Sequence, residues 1–160
     1  MYNATSIANF FIRKGIEAGK PIDQMKVQKL VYFAHGWYLA ITNQPLINEA
    51  IEAWRFGPVI PSLYHSLKHS GNQAITHAID EQVDLSIDEN DSEVHAYLTG
   101  IWNLYSPFTG IQLANMTHED QSPWANIAKE YTNQIPADKD IDNEVIREYF
   151  LNQRKATLQP

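Results

Sequence analysis

Residues 23–42 constrain the fold more than any other part of the chain, because apolar side chains occupy most of their helical circumference. Their main stripe follows the 3.6-residue period and consists of Val27, Leu30, Val31, Ala34, Tyr38 and Ile41. Phe33 and Trp37 widen that stripe. A helix that is apolar on nearly all sides has to be enclosed by other elements. We therefore expect a central helix, capped at its start by Asp23, inside a helical domain.

Helical periodicity and the positions of the prolines predict five or six further helices. They cover residues 5–18, about 61–70, 92–105, 109–116, 122–131 and about 141–152. Pro58 or Pro61 would begin the third helix of the chain, and Asp140 or Asp142 the last. The pattern predicts a mainly α fold, a single compact domain over residues 1–160 with six to seven helices. Its core would span about 5–152, followed by a flexible tail at 153–160.

Capping residues support three of these helix starts. Ser92 stands where it can cap the fourth helix. Thr109 and Gln112 have the spacing of a capping box. Ser122 and Pro123 fit the N-cap and first helical position of the sixth helix.

Two segments lack a helical period. Residues 45–57 suggest a short β-hairpin or ribbon, which Gly57 and Pro58 would stop. Residues 72–91 are polar and acidic and contain no Lys or Arg, which favours a solvated loop between two halves of one domain. Alternation at Val83, Leu85 and Ile87 permits one edge strand within that loop.

The composition excludes several classes of protein. Cysteine is absent, so disulfides, thiolate nucleophiles and Cys-ligated metal centres are excluded. No apolar run approaches the roughly 20 residues that a membrane span needs. The chain has no Walker loop, no Gly-rich dinucleotide turn and no G-x-S-x-G motif. We expect a cytoplasmic protein without a cofactor, a bound metal or a membrane contact.

Charge is divided unevenly along the chain. Residues 1–79 hold seven basic and four acidic side chains, whereas residues 80–160 hold five basic and fifteen acidic ones. Binding to phosphate backbones depends on Lys and Arg, so nucleic acid is not the expected partner of the whole protein. An acidic second half fits a basic partner better.

The run Thr117-His118-Glu119-Asp120 beside Trp124 carries the residue types of acid–base catalysis. A structural role is favoured, because Thr117 and Asp120 also have the spacing of a helix cap. The sequence therefore predicts no catalytic residues and no enzyme. The alternative is a small metal-dependent or acid–base hydrolase using His118, Glu119 and Asp120.

Three further histidines are candidates for a functional role. His65 and His69 are four residues apart on a predicted helix, but no third metal ligand accompanies them. His35 lies in the central apolar helix and is expected either in the core or facing a partner. Trp and Tyr are abundant enough to supply both a core and a contact surface.

Residues 25–40, MKVQKLVYFAHGWYLA, resemble the opening signature of the Panacea domain, also called the SocA-like antitoxin domain. A second block, Ala53-Trp54-Arg55-Phe56-Gly57-Pro58-Val59, is similar to the Ala-Trp-x-x-Gly-Pro-Val core of that family. Thr117-His118 and Pro123-Trp124 resemble its third block, and residues 141–150 its closing helix. The family includes phage-associated, GepA-like proteins.

The resemblance implies an antitoxin that binds and neutralises a cognate toxin protein, with delivery of the toxin to a AAA+ protease as one route. It gives structural roles to the family-motif positions Lys29, Leu30, Tyr32, Ala53, Gly57, Pro58, Val59, Thr117, His118, Pro123 and Trp124. We expect the toxin-facing surface to involve Trp54, Arg55, Phe56, Tyr64 and His35. A weaker alternative is a DNA-binding regulator with a basic face within residues 1–79.

Overall fold

The computed structural model describes residues 1–80, 87, 91–132 and 134–158. Within them the chain forms seven α-helices and one β-hairpin. The helices are α1 (Ala4–Glu17), α2 (Gln24–Thr42), α3 (Pro61–Leu67), α4 (Ser92–Tyr105), α5 (Gly110–Thr117), α6 (Pro123–Ala128) and α7 (Asn143–Leu158). A 3-10 turn, Lys68–Ser70, extends α3, and the hairpin consists of β1 (Glu52–Trp54) and β2 (Gly57–Val59). The predicted mainly α fold with a small hairpin is confirmed.

Helix α2 lies at the centre, as its apolar circumference predicts. It packs against α1, α4, α5, α7 and strand β2, and most of its residues are buried. Phe33 stacks on Tyr105 of α4 with 4.4 Å between ring centroids. Phe150 of α7 is 1% exposed and meets Trp37 edge-on at 5.0 Å. Aromatic rings thus join the central helix to two of its neighbours.

Helices α2 and α7 are in close contact at Gly36. A Cβ atom at this position would stand 2.1 Å from the ring of Phe150. No side chain fits at that distance. The two helices can therefore pack this closely only because residue 36 is glycine.

Local capping chemistry predicted most helix starts. Asp23 accepts a hydrogen bond from the Lys26 amide at 2.8 Å, and Thr109 and Gln112 form the predicted capping box. Ser122 caps α6 with Pro123 at its first position. The predicted cap of α4 is wrong: Asp91 is the N-cap residue and Ser92 is already helical.

Two helices end elsewhere than the periodicity predicts. Helix α6 ends at Ala128. Two overlapping turns follow, in which the amides of Glu130 and Tyr131 each donate to the carbonyl three residues before them. Helix α7 continues to Leu158, although the sequence predicts its end near residue 152. Of the two candidate starts for α7, Asp142 accepts a hydrogen bond from the Glu144 amide at 2.7 Å.

The hairpin is displaced along the chain from its predicted place. It covers residues 52–59, and Gly57 and Pro58 form its second strand instead of stopping it. Pro58 pairs with Ala53, whose amide points away from β2 and donates to Lys139 at 2.8 Å. Proline is tolerated here because this pair needs no amide donor from it.

The other edge of β1 is also covered. Glu52 and Asp140 form an antiparallel bridge, and the Ile141 amide donates to the Ile51 carbonyl at 2.7 Å. Residues 139–141, just before α7, therefore pair with one edge of β1, and β2 pairs with the other. Strand β1 has no free edge over these residues.

Side-chain amides fasten the loops to the helices. Gln28 of α2 bonds both the amide and the carbonyl of Ile60, at 2.9 and 3.1 Å. Asn9 of α1 does the same to Ile79, at 2.7 and 3.0 Å. These bonds satisfy the amides of Ile60 and Ile79 and the Ile79 carbonyl, while the Ile60 carbonyl also accepts from the Tyr64 amide of α3.

The structure describes residues 72–80, 87 and 91 of the acidic segment, among which Ile75 and Ala78 are buried. Val83 and Leu85 of the predicted edge strand lie outside the described residues, while Ile87 is buried. None of the helices that the structure describes combines the length and the apolar character needed to cross a bilayer.

Candidate functional site

The three sequence blocks around residues 29, 53–59 and 117–124 converge on the hairpin. The Lys29 ammonium donates to the Pro58 carbonyl at 2.9 Å. The Trp124 indole Nε1 donates to the Trp54 carbonyl at 2.6 Å. Helix α2 therefore supports the hairpin from one side, and α6 holds the backbone of β1.

Lys29 lies beneath the hairpin at Gly57. Lys29 is 2% exposed. A Cβ atom on Gly57 would stand 3.1 Å from the Nζ of Lys29 and 2.6 Å from Thr117 Oγ1. Gly57 also has φ +106, a backbone conformation that disfavours side chains. Burial lowers the pKa of Lys29 to about 7. The hairpin thus rests on an amine that is neutral in a substantial fraction of molecules at neutral pH.

His118 stacks on Trp124, with 3.9 Å between ring centroids and 15° between planes. Burial, followed by the nearby charge of Lys29, lowers the pKa of His118, while a hydrogen bond to the Phe56 backbone acts in the opposite direction. Its buried Nε2 has no hydrogen-bond partner within the part of the chain that the structure describes. The neutral imidazole acts here as a flat packing surface that orients Trp124.

The side chains of the candidate hydrolase residues turn to different neighbours. His118 contacts Trp124, Glu119 interacts with Tyr149, and Asp120 pairs with Lys129 at 2.8 Å in an exposed ion pair. The predicted Thr117 cap is wrong, because the Thr117 hydroxyl donates to the Ala114 carbonyl at 2.7 Å. The motif therefore closes α5 and begins the turn to α6, and its geometry does not favour hydrolysis.

His35 is fully buried and cannot contact a partner in this structure. Its Nε2 lies 2.8 Å from Asn143 Oδ1, and the Ile47 amide donates to its Nδ1 at 3.4 Å. Burial lowers its pKa, so the neutral ring bridges α2, α7 and the loop before β1. The prediction of a partner-facing His35 is corrected to a role in the core.

The tip of the hairpin projects into solvent. Phe56 is 58% exposed, and the Arg55 guanidinium lies over its ring at 5.1 Å. Trp54 and Tyr64 are half-buried and meet edge-on at 4.9 Å. Four of the five predicted partner-binding residues thus lie on or beside the hairpin.

A groove of about 740 Å³ opens next to these residues. The hairpin and α3 form one wall, and α6 with Tyr131 and residues 134–138 forms the other. Its walls include Glu52, Trp54, Arg55, Trp124, Tyr131 and Asp138. Across the described ranges no group of three or more His, Asp and Glu side chains could hold a metal, so His65 and His69 have no further ligand.

The second wall was not foreseen from the sequence. Glu52 and Trp54 alternate, which places them on one face of a strand. Nothing local indicates that residues 139–141 would pair with β1, because such pairing depends on contacts distant in sequence.

The family model described as antitoxin SocA-like, Panacea domain, matches residues 27–125. The chain belongs to this SocA-like Panacea family. Antitoxin SocA of Caulobacter vibrioides (strain NA1000 / CB15N) is similar to it, with 29% identity over 164 residues, 99% of this chain and 87% of the relative. No solved structure matches the chain.

The Panacea match contains Lys29, the whole hairpin and Trp124, but it ends before Tyr131 and residues 134–138 of the second wall. The groove is therefore built from one wall inside the matched residues and one wall largely beyond them.

Proposed function

We propose that this Panacea protein is an antitoxin that binds and neutralises a cognate toxin protein without catalysing a reaction. The observation that carries the proposal is the family match over residues 27–125, together with the similarity to a protein named Antitoxin SocA. The dispersed partners of His118, Glu119 and Asp120 support a non-enzymatic role.

The contact surface that we propose is the hairpin tip with its flank: Trp54, Arg55, Phe56 and Tyr64. An exposed Phe under an Arg guanidinium contributes little to the fold, and aromatic and Arg side chains carry much of the energy at protein interfaces. Gly57, Lys29 and Trp124 hold this tip in place from behind.

Co-expression tests the function directly. The open reading frame adjacent to the gene for this chain is expressed in cells with and without the antitoxin, and growth and co-purification are measured. We expect that the neighbouring product stops growth, that this chain restores it, and that the two proteins co-purify. Absence of toxicity, or rescue without a complex, would contradict the proposal.

Arg55→Ala and Phe56→Ala should each weaken toxin binding by about tenfold or more, because truncated hot-spot residues cost about 1.4 kcal/mol or more. Both side chains are exposed, so the melting temperature should stay within about 2 °C of the wild type. Isothermal titration calorimetry and thermal unfolding measure the two quantities.

Matched controls separate this surface from any other exposed position. Arg13→Ala removes an exposed Arg on α1, and Ile41→Ala removes an apolar side chain that is 55% exposed at the end of α2. Both controls should leave the affinity unchanged. Equal losses at control and hairpin positions would contradict the proposed surface.

Neutralisation by occlusion and delivery to a AAA+ protease predict different toxin levels. Occlusion leaves the amount of toxin unchanged when the antitoxin is present, whereas delivery lowers it in protease-competent cells only. Immunoblotting of the toxin in strains with and without the protease measures the difference.

A further inference from the structure

The groove beside the hairpin is lined by ordered aromatic rings. Trp54 donates its indole Nε1 to Glu52 Oε2 at 2.7 Å and packs edge-on against Tyr64. Trp124 is held by its bond to the Trp54 carbonyl and by the stacked ring of His118. Both indoles are therefore fixed before any partner arrives, which lowers the entropy lost on binding.

Acidic side chains accompany these rings. Glu52 and Asp138 line the groove, while Arg55 lies at its hairpin end with its guanidinium over Phe56. Asp140 forms the antiparallel bridge with Glu52 next to the groove. The backbone hydrogen bonds here join the flanking residues, Ala53 to Lys139 and Ile141 to Ile51, and not Glu52 to Asp140 themselves. In such a non-hydrogen-bonded antiparallel pair the two opposite side chains lie close together on one face of the sheet.

Two carboxylates directly opposite in a sheet repel each other and destabilise the pair. Over the ranges that the structure describes, neither Glu52 nor Asp140 forms an ion pair with Lys, Arg or His. Glu52 orients the Trp54 indole through its hydrogen bond, and an incoming cation would in addition relieve the repulsion between the two carboxylates.

We propose that this groove binds an extended basic segment of the toxin, with a Lys or Arg side chain against the indoles of Trp54 and Trp124. The positive charge of this Lys or Arg pairs with the carboxylates of Glu52, Asp138 and Asp140. The inference rests on the proposed antitoxin function. Cations bind favourably over Trp and Tyr faces. Within this chain, Lys139 already lies 5.6 Å from the Tyr131 ring centroid.

The size of the groove is sufficient for a short peptide segment. Its volume of about 740 Å³ lies within the range of ligand-binding sites, and the groove opens to solvent. The acidic balance of residues 80–160 would also attract a basic partner during diffusion, so binding should depend on salt.

The test removes charge while preserving shape. The triple variant Glu52→Gln, Asp138→Asn and Asp140→Asn keeps an acceptor for the Trp54 indole. At residue 138, Asn tolerates the φ of +61 as Asp does. Affinity for the purified product of the adjacent reading frame is measured by calorimetry at 50 and 300 mM NaCl, with the full chain.

The triple variant should bind at least tenfold more weakly at 50 mM NaCl and should lose most of the salt dependence seen in the wild type. The control triple Glu17→Gln, Asp80→Asn and Glu93→Gln removes the same charge from other positions. It includes Asp80, whose φ is +49, as a match for Asp138. It should retain wild-type affinity at both salt concentrations.

The outcomes distinguish the two proposals. If the wild type binds the toxin and the groove triple binds equally well, the groove inference is overturned and the antitoxin function stands. Equal weakening by both triples would also overturn the inference, because it would show a general charge effect. If the wild type itself neither binds nor protects, the proposed function fails first.

A peptide scan then identifies what the groove holds. Overlapping 15-residue peptides covering the toxin are titrated against the wild-type chain while the indole signals of Trp54 and Trp124 are followed by NMR. Peptides that shift these signals should contain Lys or Arg, and their Lys→Gln or Arg→Gln versions should not. Shifts caused equally by neutral peptides would overturn the basic-segment inference.

Discussion

Gly36→Ala should lower the free energy of unfolding by about 3 kcal/mol, since it forces a methyl group into a fully packed contact. The new Cβ would lie 2.1 Å from the ring of Phe150, and other atoms of that ring lie at 2.4 and 2.6 Å. Phe150 cannot turn aside easily, because Tyr32, Phe33 and Trp37 all contact its ring. Helices α2 and α7 would have to separate. Urea denaturation followed by Trp fluorescence measures the loss.

Gly100→Ala is the matched control within a helix. Gly100 is exposed in α4, and among the residues that the structure describes no other element comes within 4 Å of the added Cβ. Alanine favours the helix over glycine by about 0.5–1 kcal/mol, so this variant should be slightly more stable than the wild type. A Gly36→Ala variant as stable as Gly100→Ala would show that the two central helices do not approach as described.

The free energy of unfolding should rise by about 2 kcal/mol between pH 7 and pH 9, because the pKa of Lys29 differs between the folded and unfolded chains. Burial lowers it from 10.5 to about 7 in the folded protein. Between these values the unfolded chain binds a proton that the folded chain lacks, so raising the pH favours folding. Denaturation curves at half-unit intervals of pH measure the slope.

The histidines and tyrosines with shifted pKa values act outside this window, whereas Lys26, whose pKa burial also lowers, adds to the rise below pH 10.5. The pKa values of His35 and His118 are lowered, so their contribution to stability rises with pH only up to about 6.5. Burial raises the pKa values of Tyr32 and Tyr97, which lowers stability only near and above pH 10. The range from pH 7 to pH 9 therefore separates Lys29 from the histidines and tyrosines, and the Lys29→Met variant separates it from Lys26.

Lys29→Met should remove this rise, because methionine carries no proton to titrate. Lys20→Met, at an exposed position, should retain it. A slope that persists in Lys29→Met would show that another group is responsible. The free energy of unfolding at pH 7 should change little in Lys29→Met, because two effects oppose each other. The variant loses the hydrogen bond to the Pro58 carbonyl, but it no longer has the cost of burying an amine.

Helix starts were predictable where the chemistry is local. Asp23 and Ser122 accept bonds from amides three residues ahead, and Thr109 does the same within a capping box. The cap of α4 was misplaced by one residue because Asp91 and Ser92 are both competent caps. Asp91 also accepts a hydrogen bond from the Tyr2 hydroxyl, 89 positions away in the sequence, which favours Asp91 as the cap.

The candidate site was predictable only in part. The exposed Arg55 and Phe56 follow from a hairpin that the sequence indicates, although its strands lie at 52–59 and were predicted within 45–57. His35 was expected either in the core or at a partner surface, and its bonds to Asn143 and Ile47 place it in the core. Those contacts join residues up to 108 positions apart, which no local pattern encodes.

The sequence by itself determined the helical class, the central place of α2 and the family, because periodicity, caps and motifs act over a few residues. Only the tertiary structure decided the burial of Lys29 beneath Gly57, the contact of Gly36 with Phe150 and the pairing of β1 with residues 139–141. The groove beside the hairpin belongs to this second group, since its two walls are distant in sequence. The physical reason is that close packing and strand pairing depend on which distant surfaces meet, and chain collapse determines that as a whole.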